Sequence, residues 1–119
     1  MKVFTSLFGI LCFVTLFQPQ PAPRPPFKPQ TLEASISQST TVVQFNSEWN
    51  SGNEYRWVDV PGVKYFYIDL EKYPMYRDKM GIKSLPTLII FKQGREVKRY
   101  EGGLMMKINT PFQTIQKSL

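Results

Sequence analysis

The chain has 119 residues, 42% of them hydrophobic, and a formal net charge of +6, which is enough for one ordinary domain and too little for two. It contains no histidine, so Ser-His-Asp and Cys-His catalysis and the usual His-containing zinc sites cannot form within it. Its single cysteine, Cys12, excludes an intrachain disulfide and a Cys-x-x-Cys redox pair.

At the start, Lys2 precedes an uncharged run of fifteen residues, 3–17. A charged start and an apolar core of this length fit a secretory signal, and the run falls short of the roughly 20 residues that span a bilayer. No small-x-small pair stands around Ala22 to mark a cleavage site, so residues 1–17 read as a signal peptide or a short membrane anchor. Either reading puts the protein outside the cytoplasm (periplasmic or extracellular) or tethers it to a membrane through residues 3–17. A cytoplasmic location is the alternative. Residues 18–30 hold six of the ten prolines. Proline lacks an N–H and fixes φ, so this stretch reads as an extended polyproline spacer that forms neither helix nor sheet.

The domain proper is expected over residues 31–119, where twelve Lys/Arg stand against nine Asp/Glu. A balance of +3 falls short of the clustered charge of a dedicated nucleic-acid binder, so nucleic acid is not the expected partner. Residues 41–45 are β-branched and aromatic and predict a buried strand. A second strand covers 63–70 after the Pro61-Gly62 turn, and a helix is predicted over 71–80, with Tyr73, Tyr76 and Met80 at helical spacing and Gly81 as its stop. Residues 87–91 form a third strand, joined at 92–95 to a half-exposed fourth strand over 96–100. Thr110-Pro111-Phe112-Gln113 reads as a capping box opening a short helix, with Phe112, Ile115 and Leu119 on one face. The aromatic group Tyr65, Phe66, Tyr67, Tyr73 and Tyr76 is read as core packing. The order gives an α/β fold with a mixed sheet of about four to five strands flanked by helices.

Residues 45–53, FNSEWNSGN, resemble the thioredoxin family's F-W-A-x-W-C-G-P-C without a gap. Gly81-Ile82-Lys83-Ser84-Leu85-Pro86-Thr87 is similar to that family's G-[IV]-[RM]-[SG]-[IV]-P-T, Phe91-Lys92-Gln93-Gly94 to its F-K-x-G, and Gly102-Gly103 falls where a glycine follows its last strand. The resemblance implies a thioredoxin-like fold, with a helix after the active-site loop shortened by about eight residues, some two turns. It implies a cis peptide before Pro86, with Leu85, Pro86, Gly102 and Gly103 framing a groove for an extended polypeptide.

Both cysteine positions of the motif are asparagine here, Asn50 and Asn53. An amide is no nucleophile toward sulfur at any pH, so thiol–disulfide exchange is not expected. The buried acid of the family aligns with Gln44, which cannot exchange a proton. No catalytic residue, metal ligand or cofactor is therefore assigned, and Trp49, Asn50, Ser51, Gly52 and Asn53 form a vestigial active-site loop. Within that loop the asparagines read as helix caps, and Trp49 either anchors a ligand or caps the core. Leu104, Met105 and Met106 read as an apolar surface beside the groove or as core filler. The expected function is non-enzymatic binding of a polypeptide partner. The alternative is a small non-redox structural subunit, touching acidic protein or nucleic acid through a basic hairpin of Lys92, Arg95, Lys98 and Arg99.

Overall fold

A computed structural model describes residues 27–119. The expected signal or anchor over 1–17, Cys12 and the spacer up to residue 26 lie outside the described residues. In chain order the elements are α1 (Pro29–Gln38), β1 (Thr40–Asn46), a 3-10 helix (Glu48–Asn53), β2 (Val63–Asp69), α2 (Met75–Lys79), β3 (Thr87–Lys92), β4 (Arg95–Glu101), a second 3-10 turn (Gly103–Met105) and α3 (Phe112–Gln116).

The β-branched and aromatic runs form the sheet, in the order β2-β1-β3-β4. β1 and β2 are parallel, with Val43 opposite Phe66, while β1 and β3 are antiparallel, with Val43 opposite Ile89. β3 and β4 make a hairpin whose two turn residues, Gln93 (φ 52) and Gly94 (φ 80), both have positive φ. That backbone twist matches the twist of the flanking strands, and a glycine in the second position takes it without strain.

Alternation along the strands divides the core between the two faces. Val43, Phe45, Ile89 and Phe91 face one side, where they pack with Leu32 of α1, Tyr76 of α2 and Leu85. Val42, Leu88 and Ile90 face the other, with Ile115 of α3 and the half-buried rings of Tyr55, Trp57, Tyr65 and Tyr100.

Three elements differ from the sequence expectation. A helix begins at Pro29, inside the stretch read as a spacer that could not be helical. Proline at the first helical position loses no intrahelical bond, and Leu32 and Ile36, one turn apart, bury against the first core together with Phe27. The helix expected over 71–80 is confined to Met75–Lys79. Pro74 disfavours helical backbone in the residue before it, so the chain turns at 70–72 instead. Its end follows the expectation: Gly81 (φ 61) donates to Asp78 O at 3.2 Å and Ile82 to Arg77 O at 2.8 Å, a Schellman closure. At α3, Thr110 makes no capping bond; Pro111 occupies the cap position and its carbonyl takes the amides of Thr114 and Ile115 at 3.0 and 3.3 Å.

The second sheet face has a thin cover. After the 3-10 helix, residues 54–60 carry no helix, and no α-helix stands between β1 and β2. Tyr55 and Trp57 reach down from this segment to the sheet. Trp57 stacks on Tyr65 at 5.3 Å and 9° and meets Phe112 edge-on at 5.2 Å.

Candidate functional site

Three loops converge at the ends of β1, β3 and β4. One is the 3-10 helix with Trp49 and Asn50. The second is Ser84-Leu85-Pro86, whose Leu85–Pro86 peptide is cis. The third runs from Gly102 to Lys107.

Gly102 has an ordinary φ of −70°. A Cβ there would collide with the Leu85 carbonyl oxygen and lie 2.9 Å from its carbon and 3.0 Å from the Lys107 nitrogen. The room that Gly102 leaves is thus filled by the chain's own Leu85 backbone, and the Gly102 N–H donates to Pro86 O at 2.9 Å. Gly103 (φ 66) has open space where a side chain would point, and its N–H donates to Ser84 Oγ at 3.4 Å. Leu85 and Pro86 are both buried. Of the four groove residues, only Gly103 faces outward.

The asparagines at the former cysteine positions are part of a closed amide network. Asn50 is 5% exposed, and its Nδ2 donates to Asn46 Oδ1 at 3.1 Å and to Met106 O at 3.2 Å. Its Oδ1 accepts from Asn53 Nδ2 at 3.0 Å, and its backbone carbonyl accepts from Asn46 Nδ2 at 3.2 Å. Asn50 therefore does not cap a helix. It ties the first loop to the third, where Met106 sits at a left-handed φ of 54°. A buried polar group whose donors and acceptor are all met is stabilising, whereas losing one partner would cost about 1–3 kcal/mol. Ser51 and Gly52 are exposed and touch none of this network.

Gln44 performs a related task on the second face. It is fully buried, its Oε1 accepts from the Tyr55 N–H at 2.7 Å, and its Nε2 donates to Tyr55 O at 3.0 Å and to the Tyr65 hydroxyl at 2.7 Å. A backbone N–H can only donate and a carbonyl only accept, so the pairing requires a side chain that accepts at one atom and donates at the other, as the amide does in this orientation. The side chain that aligns with the family's acid here replaces the hydrogen bonds a helix would have given Tyr55. Tyr55 in turn donates its hydroxyl to Thr110 O at 2.9 Å, and burial, with Tyr100 adding to it, holds the phenol above its ordinary pKa.

Exposed apolar side chains flank the network, among exposed Glu48, Ser51 and Lys107. Trp49 is 61% exposed and caps no core; Leu104 and Met105 are more exposed still, and Met106 is partly so. The bond from Asn50 to Met106 ties the residue that follows Trp49 to the turn that carries Leu104 and Met105. Among the described residues no group of acidic or sulfur side chains could hold a metal ion.

The basic hairpin is only partly available. Arg99 donates to Met80 O at 2.7 Å and Gly81 O at 2.9 Å and pairs with Glu96 at 2.7 Å. It therefore closes the carbonyl end of α2, where a cation is favoured. The hydrogen bonds that it donates to Glu96 are the main reason its pKa is raised.

No family model matches the sequence. The chain is similar to a thioredoxin of Chlamydia muridarum, 32% identical over 75 residues that cover 57% of this chain and 74% of that one. It is 54% identical over 35 residues to a thioredoxin-like protein of Synechocystis, 29% of this chain and 33% of that one. It is 50% identical over 40 residues to a chloroplastic thioredoxin of Arabidopsis thaliana, of which it spans 23%. Among solved structures, oxidised thioredoxin from Plasmodium falciparum superposes with a TM-score of 0.57 at 20% identity, covering 76% of this chain and 91% of that one. The thioredoxin of Malassezia sympodialis gives 0.56 at 15% identity, covering 85% and 95%. With a four-stranded mixed sheet and three converging loops in the matching order, the chain belongs to the thioredoxin family.

Proposed function

We propose that this protein is a redox-inactive thioredoxin-family domain that binds a polypeptide partner without thiol–disulfide chemistry. The observation that carries the reading is the pairing of Asn50 and Asn53 with Asn46 and Met106 beneath an exposed apolar rim of Trp49, Leu104 and Met105. Chemistry has left the loop, yet its geometry is held by four side-chain hydrogen bonds and its outer surface is still aromatic and thioether. Such side chains anchor partners with little polar desolvation, and methionine adapts its shape to them. Leu85 and Pro86 act beneath the rim as its floor, with Gly103 leaving the approach open. The apolar run over residues 3–17 supports export or membrane tethering of the domain, and N-terminal sequencing of the native protein tests which one holds. Among the described residues no helix is long and apolar enough to cross a membrane.

The experiment is site-specific photo-crosslinking in the native host from Leu104, with Lys98 on the hairpin as the distal control. A discrete polypeptide captured from Leu104 and not from Lys98 supports the reading. The same set of proteins from both positions, or background alone from Leu104, overturns it.

A further inference from the structure

A second surface lies outside this rim. The segment after the 3-10 helix alternates, with Tyr55 and Trp57 half-buried against the sheet and Arg56 and Val58 facing out, Val58 at 56% exposure. That is the period of a strand, in a stretch rich in strand-favouring residues. Yet the backbone N–H and C=O groups of Arg56, Trp57, Val58 and Asp59 make no hydrogen bond among the described residues. The segment is fixed only at its ends, by Gln44 on Tyr55 and by Val63 donating to Val60 O at 3.1 Å, and by the Trp57 ring between. Even the Trp57 indole N–H is buried without a partner.

Beside it opens a cleft of about 660 Å³, lined among others by Ser51, Gly52, Trp57, Asp59 and Tyr65. Asp59 lines this cleft and makes no ion pair among the described residues, so its carboxylate is the group that a cationic side chain would meet.

From these features we infer that residues 56–59 form a docking edge for an extended polypeptide, which pairs with their backbone as an added strand and places a basic side chain in the cleft toward Asp59. Strand addition draws its affinity from main-chain bonds and its selectivity from alternate side-chain pockets, and this edge offers both. The inference is independent of the reading above, since it uses neither Trp49 nor the Leu104–Met106 turn.

The test pans a phage-displayed library of random heptapeptides against the full chain, then maps the enriched synthetic peptides by amide hydrogen exchange. Amides 56–59 exchange quickly in the free protein and are protected by peptides carrying Lys or Arg. Val58→Pro removes one donor that no bond uses among the described residues, and weakens these peptides by roughly tenfold while the circular dichroism is kept. Asp59→Lys leaves the backbone untouched and weakens them by roughly fivefold, so a folding defect in the proline variant does not decide the outcome. Protection confined to residues 103–106 overturns this inference and leaves the rim reading standing. An unenriched library, or binding unchanged in both variants, overturns it as well.

Discussion

Gln44→Glu restores an acid at the position the family gives to one, and its effect on stability is set by the contacts of the amide. A protonated carboxyl can keep both Tyr55 bonds, accepting the N–H at 2.7 Å and donating to the carbonyl at 3.0 Å. An ionised carboxylate cannot donate to Tyr55 O, and at zero exposure it loses its hydration as well. Burial raises the pKa of such a group above its unfolded value of about 4.3. A raised carboxyl pKa means that the native state holds the proton more tightly, so the stability is fully present below pH about 4.3 and is lost as the pH climbs through the raised native value. The variant is expected to lie within about 1 kcal/mol of wild type at pH about 4 and roughly 1–3 kcal/mol below it at neutral pH, the cost of leaving the buried Tyr55 carbonyl without its donor. Urea unfolding of both proteins at the two pH values, followed by tryptophan fluorescence, measures the difference with the other carboxylates cancelled. An equal loss at both pH values would refute the bidentate clamp on Tyr55.

Other expectations follow from the same contacts. Gly102→Ala should cost about 3 kcal/mol in urea unfolding, because its Cβ meets backbone atoms that no rotamer change can move. Gly103→Ala, with open space but a φ of 66°, should cost only about 1 kcal/mol. Arg99→Gln removes the two bonds to Met80 O and Gly81 O and should lower stability by about 1–2 kcal/mol, with hydrogen exchange accelerated first in Met75–Lys79. Burial raises the pKa of both Tyr55 and Tyr76 above the ordinary 10. The folded state therefore holds these protons, stability is full below pH about 10 and falls above it, and Tyr55→Phe should flatten the fall in melts across pH 9 to 11.

The sheet was legible because β1 and β3 are continuous, largely β-branched runs buried on both faces, and the Gln93-Gly94 turn marks the hairpin to the more exposed β4. Helix α1 was not legible. It offers only Leu32 and Ile36 as an apolar stripe, and Pro29 belongs visually to the proline run that it ends. The length of α2 was misread because Tyr73 keeps helical spacing while Pro74 forbids the helix that would use it. At the site, the loss of both cysteines could be read directly, since it depends only on residue identity. The roles of Asn46 and Asn50 could not, because the bond from Asn50 to Met106 O joins residues 56 positions apart. Gln44 stands out in the sequence only as a lost acid, and its clamp on Tyr55 is hidden for the same reason, as are the roles of Tyr55 and Trp57: a buried amide paired with a distant backbone leaves no local pattern. Gly102 was singled out by the motif, while the atom it accommodates was visible only once Leu85 stood beside it.

Redox inactivity is the claim on which the reading of this loop depends most. Turnover of an insulin-type disulfide by the purified chain, with dithiothreitol as reductant and with Cys12→Ser in parallel, addresses it directly. The expected rate is that of dithiothreitol alone at every protein concentration, for both proteins. A rate that rises in proportion to protein, and survives in Cys12→Ser, would contradict the claim that Asn50 and Asn53 have ended the chemistry of this site.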